Sequence, residues 1–149
     1  MAKPMVIYHG SPNRLIGETL NPSKGEDSIE RPENNLLAVY GTDRKDLAIV
    51  MGILGCKGVV GGSIDSYKGD KLNARIYGAF PKKKYVYIYH LLASSFKQTK
   101  IDKHQFVSFV AVRPLKVEKL EIIKFRHLIR RATKEETDCW VRKYKNKKV

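Results

Sequence analysis

Only one stretch in the interior of this chain repeats its apolar residues at helical spacing. It is "DRKDLAIVMGIL", where Leu47, Ile49, Val50, Ile53 and Leu54 form a stripe. The remaining apolar runs are short and rich in β-branched and aromatic residues. They are residues 5–9, "LLAVYGT" at 36–42, "ARIYGAF" at 74–80, "KYVYIYHLL" at 84–92, "QFVSFVAV" at 105–112 and "VEKLEII" at 117–123. Such runs predict strands. Parallel strands need a helical crossover between each pair, and one helix cannot supply a series of them. A doubly wound sheet is therefore excluded, and the pattern predicts an α+β fold with mostly antiparallel strands. The turn Pro81-Lys82-Lys83 predicts a hairpin between the runs at 74–80 and 84–92.

The connections carry their own signals. Residues 12–35 are polar, rich in Pro, Gly, Ser and Asn, and follow no period, which predicts a long excursion with one helical turn near Leu15–Leu20. Thr42 or Asp43 can cap the helix that follows. "GCKGVVGG" then breaks it. This is no Walker phosphate loop, because Ser63-Ile64 follow the last glycine and a helix precedes the first. Pro114 ends the run at 105–112. From Lys124 onward the composition shifts, with ten Lys or Arg against three acidic residues. "TKEE" at 133–136 spells a capping box and predicts a helix over 134–144, followed by a few disordered residues. The division expected is a domain over 1–123 and a basic helical extension over 124–149, packed on it or trailing it.

Composition narrows the function classes. A chain of 149 residues with 42% apolar content suits one domain with one modest core. No apolar run reaches the ~18 residues a membrane span needs, and "MAKPMVIYHG" is not a signal peptide. The two cysteines, Cys56 and Cys139, form no CxxC pair. The expectation is a cytoplasmic protein without a disulfide framework or zinc site. Cys56, beside Lys57, reads as a small turn residue rather than a nucleophile. The histidines show no HxxxH or HExxH spacing, so no metal site is expected. His90, between tyrosines, reads as structural, and His104 sits on a connector. Lys and Arg number 29 against 15 acidic residues, a net charge of +14. Such a surface attracts polyanions such as nucleic acid, although much of it is equally explained as solvated exterior.

Two strand ends carry polar residues next to glycine: Tyr8-His9-Gly10-Ser11, and Val39-Tyr40-Gly41-Thr42 leading into the helix. Glycine lets another backbone or a ligand approach closely. A histidine can bond a ribose hydroxyl, and an exposed tyrosine can stack on a flat heterocycle. Taken alone, each stretch also reads as an ordinary strand end.

Together, "YHGSP" and "LAVYGTDRKDLAIVMGI" resemble the opening of the ADP-ribosyltransferase-like fold, in the branch with a His-Tyr-Glu triad that includes diphtheria-toxin-type toxins and the poly(ADP-ribose) polymerases. The resemblance covers roughly residues 5–123 and implies a split antiparallel sheet with few helices. It implies that His9 binds the adenosine ribose of NAD, that the Gly10 backbone holds the nicotinamide amide with Ser11 also in the cofactor site, that Tyr40 packs on the nicotinamide ring, and that Thr42 fills a small hydroxyl position. The family's glutamate, which stabilises the cationic transition state, falls on Gln105 here. A glutamine can still bond a ribose hydroxyl but supplies no negative charge, a loss worth about 10²–10³ in rate. Glu118 and Glu121 on the next strand are candidates to replace it, although surface positions explain them as well. The activity implied is transfer of ADP-ribose from NAD to a protein or nucleic-acid acceptor, or NAD hydrolysis. The competing expectations are a basic nucleic-acid-binding module, and a degenerate transferase fold that acts as an interaction protein.

Overall fold

The computed structural model describes residues 4–24, 36–68 and 71–145. The fold is mixed α+β, with two mostly antiparallel sheets around one principal helix. The strands are β1 (Val6–Ser11), β2 (Ser23–Lys24), β3 (Leu37–Thr42), β4 (Gly61–Lys68), β5 (Lys71–Tyr77), β6 (Tyr85–Leu92), β7 (Phe96–Gln98), β8 (Gln105–Ser108), β9 (Lys116–Glu121) and β10 (Ile129–Arg131). The helices are α1 (Lys45–Leu54) and α2 (Lys134–Trp140), the latter continued by a π-helical turn at Val141–Lys145. The large sheet has the order β7-β8-β3-β1-β6-β9, with β2 added on β3; the small sheet has the order β10-β5-β4. Among the described strands only the β10–β5 pair is parallel.

Two cores form on opposite faces of the large sheet, as the period-2 alternation of its strands requires. On one face α1 buries Leu47, Val50 and Ile53 against Val86 and Ile88 of β6 and against Leu72, Ala74 and Ile76 of β5. On the other, Ile7, Val39, Leu91, Phe96 and Phe106 pack together under Leu15 and Leu20. β6 therefore buries both faces, which is why it reads as an almost unbroken apolar and aromatic run. Completely buried side chains such as Ile7, Ile88 and Leu91 each contribute about 1.5–3 kcal/mol.

Several local expectations are corrected. β5 and β6 do not form a hairpin: β5 pairs with β4, while β6 pairs with β1 and β9. Gly78 turns the chain out of β5 at a φ of 84°, a left-handed conformation that favours glycine, and the chain continues to β6 in the large sheet. β4 is polar in sequence and was hidden for that reason; it is held by its ladder to β5, with an irregularity between Ile64 and Ser66. The segment at Leu15–Leu20 makes no helical turn; Leu20 instead bridges to Val112. The predicted cap is displaced, since Arg44 occupies the N-cap of α1 without a side-chain cap bond. The strand expected at 105–112 stops at Ser108, and the one expected at 117–123 gives way to a 3₁₀ segment at Ile122. The capping box forms at Thr133 and Glu136, and α2 starts where it predicts. Residues 25–35 of the long excursion, and 146–149 of the tail, lie outside the described residues.

The basic C-terminal segment joins the fold through β10, whose Ile129 enters the first core. Trp140 stacks on Tyr77 at 5.0 Å and 16°. It lies over Gly61, where a Cβ would meet the indole at 2.2 Å. No helix among the described residues is long and apolar enough to cross a membrane.

Candidate functional site

The large sheet opens in its middle. β1 pairs with β6 through six consecutive residues and β3 pairs with β8 through four, yet β1 meets β3 in register only at Tyr8–Thr42. Beyond that rung β1 and β3 make no further register pair among the described residues, with His9, Gly10 and Ser11 following on one side of the break and Gly41 and Tyr40 on the other.

His9 spans the gap. Its Nδ1 lies 2.6 Å from the carbonyl oxygen of Tyr40. A carbonyl only accepts, so Nδ1 carries the proton. Burial lowers the pKa of His9 and outweighs the opposing effect of that hydrogen bond, so the ring is neutral at pH 7. The remaining ring nitrogen, Nε2, is then a hydrogen-bond acceptor. The ring of Tyr89, the register partner of His9 on β6, lies 6.2 Å away. Tyr89 also lines a depression of about 220 Å³ bounded by Arg14, Leu15, Glu18, Leu115 and Lys116. Its hydroxyl accepts from the Leu15 amide, fixing the wall of that depression.

The other residues singled out in the sequence take distinct places. Gly10 is where α1 rests on β1: a Cβ there would stand 1.8 Å from the Ala48 carbonyl oxygen and 3.1 Å from the Gly52 nitrogen. The close approach that this glycine permits is made by a helix backbone. Ser11 accepts from the Asn13 amide at 3.1 Å and closes the turn after β1. Tyr40 folds back along its own chain, its hydroxyl accepting from the Leu36 amide at 2.7 Å and donating to the Leu36 carbonyl at 3.1 Å. Burial raises the pKa of its phenol. Strand alternation sends Tyr40 to the face opposite Val39 and Gly41, so His9 meets the main chain of Tyr40 rather than its ring. Thr42 is buried and accepts from the Arg44 amide at 3.1 Å. Gln105 faces Thr42 across β3 and β8, and its Oε1 accepts from Thr99 Oγ1 at 2.9 Å.

Register reveals a feature with no linear signal. Lys116, His90, Tyr8, Thr42 and Gln105 are successive Cα partners across β9, β6, β1, β3 and β8. Paired residues in antiparallel strands share a face, so these five form one polar row across the sheet, on the face that carries α1. His90 is tied into it: Nε2 lies 2.5 Å from Glu118 Oε1, and the Tyr8 ring meets the imidazole edge-on at 5.0 Å. Lys45 at the start of α1 reaches the same carboxylate oxygen at 2.7 Å. Lys45, then His90, holds the Glu118 carboxyl below its usual range against the opposing effect of burial. Glu118 is thus an anchor between helix and sheet, whereas Glu121 pairs with Lys124 at the surface. Beyond the Thr42–Gln105 rung, Asp43 and His104 meet at 2.8 Å.

Cys56 is buried, and its Sγ points to the Gly52 carbonyl oxygen at 3.5 Å. Burial pushes its thiol pKa up, which suits a packed turn residue and not a nucleophile. Among the described residues no group of three or more His, Cys, Asp or Glu side chains could hold a metal ion. No protein-family model, no curated protein and no solved structure matches this chain.

Proposed function

We propose that this chain is an ADP-ribosyltransferase-like protein that binds NAD in the opening between β1 and β3. The observation that carries the reading is the His9 imidazole, held across the parted strands by the Tyr40 carbonyl with a neutral ring whose Nε2 can accept from a ribose hydroxyl. The resemblance had implied a histidine facing ribose; the hydrogen bond sets its sense, with the ribose donating. The break in the β1–β3 ladder after one rung supports the reading, because the resemblance implies a split sheet. The depression beside Tyr89 supports it further, because Arg14 and Lys116 at its rim suit the diphosphate of NAD.

In this reading the bond between nicotinamide and ribose C1′ breaks, nicotinamide leaves with the electron pair, and an acceptor oxygen or nitrogen takes its place. Gln105, which the resemblance places at the ribose, stands on the α1 face of the sheet, opposite the face His9 shares with Tyr89, and contributes no charge. Isothermal titration of the full chain with NAD tests it. Saturable binding that His9→Ala removes supports the reading; no heat at millimolar NAD overturns it.

A further inference from the structure

We infer that the end of the molecule around the turn from Gly78 to Tyr85 binds single-stranded nucleic acid through its phosphates. This surface is separate from the proposed NAD site and draws on the positive charge that the NAD reading leaves largely unused.

Three further segments bring cations to this turn. Lys82, Lys83 and Lys84 lie within it. The 3₁₀ segment at Ile122–Leu128 starts beside it, with the Ile122 amide donating to the Lys84 carbonyl at 2.9 Å. From that segment Arg126 lies over the Phe80 ring, 4.2 Å from its centre. From β9, Lys119 lies over the Tyr85 ring, also at 4.2 Å. From β10, Arg131 donates through Nε to the Gly78 carbonyl at 3.2 Å. All of these Lys and Arg residues are exposed. Lys124, on the same 3₁₀ segment, pairs with Glu121 at 3.4 Å; among the described residues that is the only carboxylate paired with a cation of this group.

Other carboxylates gather elsewhere. Asp46 stands in the first turn of α1 and Glu118 is bound to Lys45 there, while Lys83 acts electrostatically on Cys56, past the other end of that helix. α2 carries Glu135, Glu136 and Asp138, and Glu136 holds both Arg75 and Arg130. The basic character of the C-terminal sequence is thus not a property of its helix. It belongs to the stretch from Lys124 to Arg131 that borders the turn.

Seven exposed cations around one turn attract a chain of phosphates, and release of its counterions drives binding without regard to sequence. The two aromatic rings carry cations over their faces, and a guanidinium placed over Phe80 keeps its N–H groups at the edge for phosphate oxygens. The cations sit on both sides of the sheet: Phe80 packs on the α1 core, whereas Tyr87, the register partner of Lys119, packs on the other. A flexible single strand bends around such an end, and a straight duplex reaches only one side of it. The exposed large apolar side chains there are Ile123 and Val60, short of the continuous apolar face that a membrane-bound surface needs.

The test is fluorescence anisotropy of a labelled oligouridylate of about 16 nucleotides, titrated with the full chain between about 50 and 200 mM salt. Wild type binds, and log K falls linearly with log salt, by about 0.7 for each phosphate contact. Lys82→Gln with Lys84→Gln removes two such contacts and flattens the slope by about 1.4, so about sevenfold less affinity is lost across that range. Lys97→Gln with Lys103→Gln, on β7 and the connector before β8, removes the same charge and leaves the slope unchanged. All four lysines are exposed, so the unfolding temperature stays as in wild type. A duplex of the same length binds more weakly. No binding at the lowest salt, or an equal loss in both double variants, overturns the inference. So does duplex binding of equal strength, or a preference for phosphatidylserine vesicles over the oligonucleotide. NAD is absent throughout, so failure here leaves the NAD reading untouched.

Discussion

The carbonyl oxygen of Tyr40 accepts a hydrogen bond of 2.6 Å from Nδ1 of His9, across strands that have otherwise parted. A side chain here replaces the ladder bonds that β1 and β3 no longer make. It satisfies a carbonyl at the edge of the opening and selects one tautomer of the ring.

That bond makes His9 both a structural and a pH-sensitive residue. His9→Ala removes the hydrogen bond to the Tyr40 carbonyl and costs about 0.5–1.5 kcal/mol, measured by urea unfolding. The pKa of His9 is lower in the folded than in the unfolded chain, so the unfolded chain binds more protons in between. Its contribution is complete above the ordinary histidine value of 6.5 and is lost as pH falls below it toward the folded value. His9→Asn removes this part of the slope of stability against pH; an unchanged slope would refute the assignment.

Gly10→Ala tests the seat of α1. The new methyl would stand 1.8 Å from a backbone oxygen, which no rotamer change relieves. The helix must shift, and the expected loss is at least about 3 kcal/mol, at the upper end of overpacking costs. It should appear as a lower urea midpoint with the slope unchanged.

Gln105→Glu restores a negative charge where the resemblance implies one. Nicotinamide release should rise about 10²–10³-fold if an oxocarbenium-like state forms against that position. Thr99 Oγ1 donates to Gln105 Oε1, and a carboxylate accepts that bond equally well, so stability should change little. A rate that stays constant while NAD binds argues that Gln105 does not touch the reacting ribose.

The C-terminal segment should release in acid. Glu136 accepts from Arg130 and from the Thr133 amide and also pairs with Arg75, and these contacts bring its carboxyl down to about 2. The folded pKa is depressed, so the contribution is present above the ordinary glutamate value and is lost as pH falls toward 2. Trp140, the one tryptophan, stacks on Tyr77 and reports the change by fluorescence. Glu136→Gln should flatten that transition.

The two cysteines should separate kinetically. Cys139 is exposed and reacts promptly with a thiol reagent, while Cys56, buried and with its pKa raised, reacts only as the fold opens. Two thiols reacting at one rate in the native protein would contradict this placement.

Much of the fold was legible because its signals are local. The stripe from Leu47 to Leu54, the strand run of "YVYIYHLL" and the Thr133–Glu136 box each act within a few residues. β4 was not legible, because "GGSIDSYK" has no apolar period and becomes a strand only through its ladder to β5. The supposed hairpin failed for the converse reason: two good strand sequences flanked a proline turn, and their partners lay elsewhere.

The sequence by itself determined the α+β class, the positions of α1, α2 and most strands, and the strand ends that carry His9 and Tyr40. Hydrophobic period, turn chemistry and capping act between near neighbours, so they can be read in one dimension. Only the tertiary structure decided that β1 and β3 part after a single rung, that Gly10 faces Ala48, and that His90 meets Glu118 and His104 meets Asp43. Those relationships join residues 28–61 positions apart, and strand register sets them. Register is a property of paired chains, fixed when both faces of the sheet bury their cores at once.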